Sequence, residues 1–366
     1  MNRRPSQSRS GYDAFSTRNT ARFTAATPGN DFFDVRRKKP LSSRFALYFF
    51  LLFLAVLAVN FAANQFVHVR SITVPITGLG EDFDGYTLLH LSDLKGRSFG
   101  RSQGLLASAL SKSEFDAVVI TGDMISEHGN AQPFYALLDQ LRILRPNVPI
   151  YFISGDSDPP VTSRDYFTGG SPFAPWVLGA QQRGAQLLSA PVAITRGDQS
   201  LWLTISSLLN LDLDTMQRQF EQQYLSALSS GDENAVELTA YNLTWLEQTR
   251  DARKTMTSQD AVIALMHAPP AREELLSQLD LILCGHTLGG LMRLPVVGPV
   301  FMPSSSLPRY GLFPGPQINS GLSRQGKTQI YVNPGLGSKA KEYPAFFFRL
   351  FNPPSVSLIT LTRSSI

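Results

Sequence analysis

Five short loops constrain the fold of this chain more than any other feature of its sequence. Each loop directly follows a strand-like run of apolar residues, and each carries Asp or His. The loops are residues 91–95, 121–126, 154–158, 265–269 and 284–290. In an α/β sheet the carboxyl ends of parallel strands meet at one edge, where side chains from separate strands can share a metal ion. The pattern therefore predicts an α/β protein with a cation site made from Asp and His.

The apolar runs between the loops predict an alternation of strands and helices. Helices are predicted at 103–110 and 133–144, between strands at 86–91, 117–120 and 149–153. This β-loop-α order favours right-handed crossovers and a largely parallel sheet. Further strands are predicted at 71–76, 192–194, 201–205, 262–266, 279–284, 328–332 and 356–361. The neighbouring pair at 192–205 predicts a hairpin that begins a second sheet.

Two segments have no strand pattern. Residues 212–256 are polar and helical in character, and they predict an inserted helical pair without a recognisable motif. Residues 294–322 are rich in Pro, Gly and Ser and predict a long surface loop beside the last of the five loops.

The net charge of +4 describes one end of the chain. Residues 1–44 carry ten of the 33 Lys and Arg residues but only three of the 29 Asp and Glu residues, so the remainder has a net charge of −3. Nucleic-acid binding by the body of the protein is therefore not predicted. Cys284 is the single cysteine, which excludes an intrachain disulfide and leaves Asp and His as the metal ligands.

Residues 45–63 are apolar apart from Tyr48 and Asn60. Nineteen residues at about 1.5 Å each give a helix of about 28 Å, close to the thickness of the hydrocarbon core of a bilayer. We interpret residues 45–64 as a transmembrane signal anchor. A buried core helix and a cleavable signal peptide are the alternatives; a core helix of this length usually has a polar face, and 44 residues make an unusually long basic n-region.

The distribution of basic residues around this segment predicts its orientation. Arg36, Arg37, Lys38, Lys39 and Arg44 precede it, whereas only Arg70 follows it closely. The positive-inside rule then places residues 1–44 in the cytoplasm and the main domain outside the membrane. The arm at 1–44 is rich in Arg, Ser, Thr and Asn, so we expect it to be disordered. Its basic run predicts contact with anionic membrane lipid.

The order and residue types of the five loops resemble the calcineurin-like metallophosphoesterases, whose loops read D-x-H, G-D-x-x-D, G-N-H-[DE], H and G-H-x-H. Residues 86–94 resemble the opening strand of that superfamily, and residues 291–295, 332–337 and 349–354 resemble its membrane-attached bacterial branch. The resemblance covers residues 70–363, with 208–258 poorly matched. It implies a four-layer α/β/β/α sandwich of two mixed sheets, tethered to a bacterial cell membrane by one helix.

The resemblance implies that the ligands of one of the superfamily's two metal ions are retained. Asp123 stands at the position of the carboxylate that bridges both ions. Asp156 replaces the Asn of G-N-H, and His267 and His286 match two imidazole ligands. These four residues imply a site for one divalent ion of the Mn, Fe, Zn or Mg class.

The other ion site of the superfamily is not retained. Asp93 remains, but Lys95 and Leu288 stand where the resemblance implies histidines. An ammonium group and an alkyl side chain cannot coordinate a metal. Because two carboxylates without their ion are costly in a partly buried cleft, we hypothesise that the Lys95 ammonium takes the vacated position and pairs with Asp93 and Asp123.

Two further replacements concern catalysis. Ser157 stands at the position of the superfamily's catalytic His, and Ser126 replaces the second Asp of G-D-x-x-D, with His128 as an outside candidate for a substitute ligand. Two functions therefore stay open. The first is a phosphoester hydrolase with a single-ion site, acting on a lipid or other envelope phosphoester; a two-ion mechanism is not expected. The second is a pseudoenzyme that binds a ligand or a partner without hydrolysis.

Overall fold

A computed structural model describes residues 43–125, 129–162, 171–270, 278–294, 297–302, 311–314, 320–338 and 349–364. Contacts between residues divide the chain into the units Met1–Leu52 and Phe53–Ile366. Most of the basic arm predicted at 1–44 lies outside the described residues, as do Ser126 and His128.

The helices are α1 (Ser43–Ala63), α2 (Gly104–Leu110), α3 (Gln132–Leu144), α4 (Pro175–Gln181), α5 (Ser206–Leu209), α6 (Leu213–Ser230) and α7 (Glu233–Thr255). The first seven strands are β1 (His68–Ile76), β2 (Thr87–Leu91), β3 (Ala117–Thr121), β4 (Ile150–Ile153), β5 (Ala185–Leu187), β6 (Val192–Arg196) and β7 (Gln199–Ile205). The remaining strands are β8 (Ala261–Met266), β9 (Leu281–Cys284), β10 (Met292–Leu294), β11 (Gly298–Phe301), β12 (Gly321–Gln325), β13 (Thr328–Val332) and β14 (Ser355–Arg363).

Helix α1 is long and apolar enough to cross a membrane, and no residue of its span Arg44–Ala63 is buried. Its large apolar side chains are bare, with Phe49 72% and Phe61 69% exposed. A soluble core helix would bury such side chains. The helix is therefore compatible with a single-pass membrane anchor.

The strands form two mixed six-stranded sheets. The first has the order β1-β14-β2-β3-β4-β5, in which β2 to β5 are parallel and β14 runs antiparallel to β2 but parallel to β1. The second has the order β12-β13-β9-β8-β7-β6, with four parallel strands in the middle. Antiparallel hairpins complete both of its edges, and β6–β7 is the hairpin that the sequence predicts.

Alternation along the strands creates three apolar layers. In β3, Val119 points into the core between the two sheets, where it joins Ile263 and Leu281 of the second sheet. Its neighbour Val118 lies in a separate cluster with Phe134 of α3. The outer face of the second sheet has its own cluster, against which residues at the end of α7 pack. Successive strand residues alternate between faces, so this sequence gives the four-layer α/β/β/α sandwich that the resemblance implies.

Helices α6 and α7 occupy the segment in which the sequence predicts a helical pair. Asp212 and Asp232 cap their N-termini by accepting hydrogen bonds from Thr215 N and Ala235 N, both at 3.0 Å. In contrast, the segment 294–322 is not wholly a loop, because β11 lies in it and pairs with β10. Both strands are short and interrupted by Gly and Pro, so they lack the alternation that marks longer strands.

Candidate metal centre

The five loops begin at the carboxyl ends of β2, β3 and β4 in the first sheet and of β8 and β9 in the second. Their backbone is strained where the candidate residues lie. Of the nine non-glycine residues with positive φ in the described part of the chain, five are on these loops: Asp93, Lys95, Asp123, His286 and Leu288. Such conformations persist only where the surroundings enforce them, and they concentrate at functional sites.

Two glycines let the loops approach one another. A Cβ atom on Gly155 would overlap the Asp123 carboxylate and lie 2.8 Å from Cε1 of His267. A Cβ atom on Gly285 would lie 2.6 Å from Oδ2 of Asp93. Any side chain at either position would therefore push the acidic and imidazole groups apart, which explains the glycine before each ligand position.

Asp123 is the centre of the arrangement. Its Oδ2 atom accepts hydrogen bonds from Lys95 Nζ at 2.7 Å and from Ser157 Oγ at 3.2 Å. Its Oδ1 atom accepts from Ser157 N at 2.7 Å, and Nε2 of His267 lies 3.2 Å from Oδ2. Burial alone would raise the pKa of Asp123, but His267 and Lys95 outweigh it and hold that pKa far below its usual range. The carboxylate is therefore ionised.

A backbone carbonyl fixes the orientation of His267. Its Nδ1 atom lies 2.8 Å from Thr121 O, and a carbonyl oxygen only accepts, so Nδ1 carries the proton. The other nitrogen, Nε2, faces the site, where it lies 3.2 Å from Nδ1 of His286. The same Nδ1 atom of His286 is 3.3 Å from Oδ2 of Asp156. A histidine whose second nitrogen donates to a carbonyl is the usual arrangement of a metal ligand.

The charge on His267 depends on its acidic neighbours. Burial lowers the pKa of an imidazole, but the hydrogen bond to Asp123 and the charges of Asp93 and Asp123 raise that of His267 to about 9. In the metal-free protein both ring nitrogens therefore carry a proton at neutral pH, and the ring is positively charged. A cation bound at Nε2 has to replace that proton, because only the neutral ring coordinates a metal.

The structure brings together all four residues predicted to hold an ion, in two overlapping groups. Ligand atoms of Asp156, His267 and His286 lie within 4.8 Å of one another, as do those of Asp93, Asp123 and His267. His267 belongs to both groups. Asp123 and His267 are buried, whereas the side chains of His286 and Asp156 are 40% and 69% exposed, so one side of the centre is open to solvent.

The donor atoms present fit a divalent cation. Carboxylate oxygens and imidazole nitrogens suit ions of the Mn, Fe, Zn and Mg class. Oδ1 of Asp93 is also buried without a hydrogen-bond partner among the described residues, although Oδ2 accepts from Ser92 Oγ at 2.5 Å and from His286 N at 2.9 Å. A buried carboxylate oxygen without a partner is costly unless a cation compensates it.

Leu288 contributes no ligand atom to the centre. Its side chain is buried and packs with Leu291 and Phe301. Its carbonyl oxygen accepts hydrogen bonds from Arg349 Nη2 at 2.5 Å and from Asn352 Nδ2 at 2.8 Å. The residue that replaces a histidine of the superfamily has therefore become part of an apolar cluster.

Lys95 supplies positive charge on the same side of the centre. Burial would lower the pKa of its ammonium, but Asp93 and Asp123 outweigh this and raise it. The direct ion pair is with Asp123 at 2.7 Å, while Asp93 acts on Lys95 through its charge.

Two supporting residues were not predicted as part of the site. Asp158 accepts hydrogen bonds from the backbone N atoms of Asp123, Ile125 and Gly155, at 2.8, 2.8 and 2.9 Å, and so holds two loops together. Burial raises the pKa of Asp158 to about 6. In the sequence, Asp158 stands at the acidic position that ends the G-N-H-[DE] pattern, and this position could have identified it.

The second is Arg349, whose buried guanidinium donates to five backbone carbonyls, those of Leu288, Pro334, Gly335, Gly337 and Asn352. Burial lowers the pKa of Arg349 to about 9. Because its partners are carbonyls, no residue-type pattern in the sequence marks this role.

A cavity of about 460 Å³ lies beside His267, between the two sheets. Apolar side chains dominate its lining, among them Ile153, Leu188 and Met266, with Ser206 and Ser207 on one side. The space is large enough for an organic group attached to a phosphate held at the metal centre.

Comparisons with known proteins identify the family of the chain. A model of the calcineurin-like phosphoesterase family matches residues 86–290, more than half of the 366 residues. Phosphodiesterase YaeI of Escherichia coli is 34% identical over 100 residues, which are 27% of this chain and 32% of that protein. The chain thus aligns with about a third of that relative's length.

Among solved structures, the crystal structure of phosphopantetheinyl hydrolase from Mycobacterium tuberculosis aligns with 68% of this chain and 89% of that chain, at 11% identity and a TM-score of 0.31. The match of the family model carries the assignment. This chain belongs to the calcineurin-like phosphoesterase family.

Proposed function

We propose that this protein is a membrane-anchored phosphoester hydrolase that uses a single divalent cation. One observation carries the proposal, namely the convergence of Asp123, Asp156, His267 and His286. Nε2 of His267 lies 3.2 Å from both Asp123 Oδ2 and His286 Nδ1, which in turn is 3.3 Å from Asp156 Oδ2. These four side chains would hold the ion, whose chemistry is to polarise a phosphoryl oxygen and lower the pKa of a bound water.

The residues around this set prepare it for an anionic substrate. Thr121 O holds His267 with Nε2 facing the centre, and Ser157 N fixes Oδ1 of Asp123 at 2.7 Å. The Lys95 ammonium, 2.7 Å from Asp123 Oδ2, keeps a positive charge where the family has a second ion. A fixed cation at that position stabilises the negative charge of a phosphoryl group without coordinating a metal.

The protein offers only a weak proton donor to the leaving group. Ser157 stands at the position of the family's catalytic His, and its hydroxyl donates to Asp123 at 3.2 Å. A serine hydroxyl is a much poorer proton donor than an imidazolium at neutral pH. We therefore expect esters with good leaving groups to be preferred.

The substrate proposed is a lipid or another envelope phosphoester. Helix α1 supports this proposal because it is compatible with a membrane anchor, which would hold the centre close to lipid. The apolar lining of the 460 Å³ cavity beside His267 suits an organic group of low polarity. Ligand binding without hydrolysis is the second candidate, and the ion pair of Lys95 with Asp123 favours it, since this pair replaces an ion that the family uses for catalysis.

The full-length protein, purified in detergent, separates the two candidates. Metal content and turnover of generic phosphomonoesters and phosphodiesters are measured with Mn, Fe, Zn and Mg, for the wild type, for His286→Ala and for His68→Ala. His68 is exposed in β1 and serves as the matched control. We expect one ion per chain and turnover that only His286→Ala abolishes. One bound ion without turnover of any of these esters would contradict hydrolysis and leave ligand binding as the candidate, and turnover unchanged in His286→Ala would refute the proposed site.

A further inference from the structure

Large apolar side chains are exposed near the carboxyl-end edge of the sandwich. Val297 is 69% exposed, Phe313 60%, Leu312 45%, Phe351 45% and Leu294 44%. We call these five residues the hairpin patch, because Leu294 and Val297 lie at the ends of β10 and β11 and the others lie next to that hairpin. Soluble surfaces rarely leave so many large apolar side chains together, and such patches mark interaction sites.

Hydrogen bonds join one end of the patch to α1. The backbone N atom of Phe351 donates to Oδ1 of Asn60 at 2.9 Å. The carbonyl oxygen of Arg349 accepts from Nδ2 of Asn60 at 2.8 Å and from Nδ2 of Asn64 at 2.9 Å. The segment with Phe351 is thus fixed to the last turn of the helix proposed to cross the membrane.

The same segment, around residue 350, also forms hydrogen bonds with the β10–β11 hairpin and the residue before it. Leu350 N donates to Leu291 O at 2.8 Å, and Arg293 N donates to Leu350 O at 3.0 Å. On the far side of the hairpin, Phe313 N donates to Val300 O at 2.7 Å. Side-chain hydrogen bonds of Asn60 thus join α1 to residues 349–351, and backbone hydrogen bonds join residue 350 to the hairpin and the hairpin to Phe313.

The backbone of the patch is itself strained. Phe313 has φ of 49° and Phe351 has φ of 54°, which are uncommon for bulky residues. Conformations of this kind are unfavourable and are found mainly where function requires them. Two of the five patch residues are thus held in conformations that stability alone would not favour.

Three basic residues lie near the segment that carries Phe351. Burial lowers the pKa of the Arg349 guanidinium, and the charges of Arg97, Arg70 and Arg293 are close enough to lower it further. Arg97 donates through Nη2 to the carbonyl oxygen of Asn64, directly at the end of α1. Apolar side chains surrounded by Arg and Lys are typical of surfaces that enter the interface of an anionic membrane.

We propose that the hairpin patch inserts into an anionic lipid leaflet, the same leaflet from which α1 emerges. This inference rests on the membrane anchoring in the proposed function and adds a second contact between the domain and the bilayer. It also sets the distance of the metal centre from lipid. Arg349 connects α1 to the loop of the metal centre. Its carbonyl oxygen accepts a hydrogen bond from Asn60, and its guanidinium donates one to Leu288 O.

The chain offers a direct test, because its single cysteine, Cys284, is buried. Val297→Cys and Phe313→Cys are labelled with an environment-sensitive fluorophore in the full-length protein, which is reconstituted into vesicles containing phosphatidylglycerol and brominated lipid. Phe61→Cys in α1 is the reference for the membrane interior. Leu225→Cys in α6 is the reference for solvent, since Leu225 is 64% exposed. The wild type, whose Cys284 is inaccessible, gives the background of labelling.

We expect brominated lipid to quench the labels at 297 and 313 at least half as strongly as the label at 61, and to leave the label at 225 unquenched. Quenching at 61 together with values at 297 and 313 equal to that at 225 would overturn the hairpin patch as a membrane contact while leaving the anchor intact. Absence of quenching at 61 would refute the anchor itself. Equal quenching in vesicles of phosphatidylcholine alone would overturn the preference for anionic lipid. If the label at 297 is shielded from solvent in detergent and remains unquenched in lipid, the hairpin patch contacts protein rather than lipid, and the proposal is wrong.

Discussion

The ammonium of Lys95 lies 2.7 Å from Oδ2 of Asp123, the carboxylate at the centre of the candidate metal site. Both side chains are nearly buried, with 11% and 2% of their surfaces exposed. The protein itself thus supplies a positive charge beside the Asp123 carboxylate. Breaking a buried pair of this kind costs about 3–5 kcal/mol, because it leaves one charge without compensation.

This relationship predicts how the missing ion site can be restored. Lys95→His combined with Leu288→His removes the ammonium and returns two imidazoles, so we expect metal content to rise from one to two ions per chain. Elemental analysis of the purified protein measures the change. Lys95→Met combined with Leu288→Met is the matched control, which should stay at one ion. No gain in the double histidine variant would contradict the role assigned to Lys95.

The protonation of His267 predicts a pH dependence of stability in the metal-free protein. Its pKa is raised to about 9 in the fold, from about 6.5 in an unfolded chain. The stabilisation is therefore complete below pH 6.5 and is lost as the pH rises through 9, by up to about 3 kcal/mol in the free energy of unfolding. Denaturation curves between pH 6 and 10 measure it. The slope should be smaller in His267→Gln, and an equal slope would contradict the assignment.

The same histidine links metal binding to pH. A cation at Nε2 displaces a proton that Asp123 and Asp93 hold on the ring, so apparent affinity should increase about tenfold per pH unit between 7 and 9. Titration with Mn or Zn at several pH values, together with the protons released, measures this link. Affinity independent of pH in this range would show that His267 is not a ligand.

Substitution of Asp158 should weaken metal binding at the centre without removing a ligand. An amide in Asp158→Asn presents an NH₂ group to backbone N–H donors, so at least one of the three hydrogen bonds is lost. We expect the free energy of unfolding to fall by about 1–3 kcal/mol and metal affinity to fall with it. Asp139→Asn is the control, since the Asp139 side chain is 54% exposed in an ion pair with Arg183. Equal losses in both variants would contradict a specific role for Asp158.

Ser157 predicts the dependence of turnover on the leaving group. Without an imidazolium at this position, the rate should fall steeply as the pKa of the leaving alcohol rises. Ser157→His should flatten this dependence and raise turnover of alkyl phosphoesters by about 10²-fold or more. A series of aryl and alkyl esters measures both slopes. Identical slopes for the wild type and the variant would show that residue 157 does not face the leaving group.

Much of the fold could be predicted because the buried parallel strands are short apolar runs that end in recognisable loops. The four candidate ligands followed from the resemblance of the loops to the family, and the glycines before Asp123, Asp156 and His286 allow the close approach of the loops. Other features could not be predicted in this way. The short strands β5, β10 and β11 have too few residues for a periodic pattern, and Arg349 bonds to carbonyls that every residue possesses. The partners of β14 are distant in sequence, so local pattern gave its position in the chain but not in the sheet.

The place of β14 determines when the protein can fold. This strand lies between β1 and β2, although nearly 290 residues separate Ile76 from Arg363, the two residues that close the register. A growing chain can pair β2 with β3 and β4 early, but β1 has no neighbour in the first sheet until the ribosome has made the last strand. The segment next to α1 must therefore wait, extended and unpaired, for the arrival of the carboxyl-terminal residues. Completion of the first sheet therefore requires the insertion of β14 into an interior position, and the edges of β1 and β2 stay open to other strands until then.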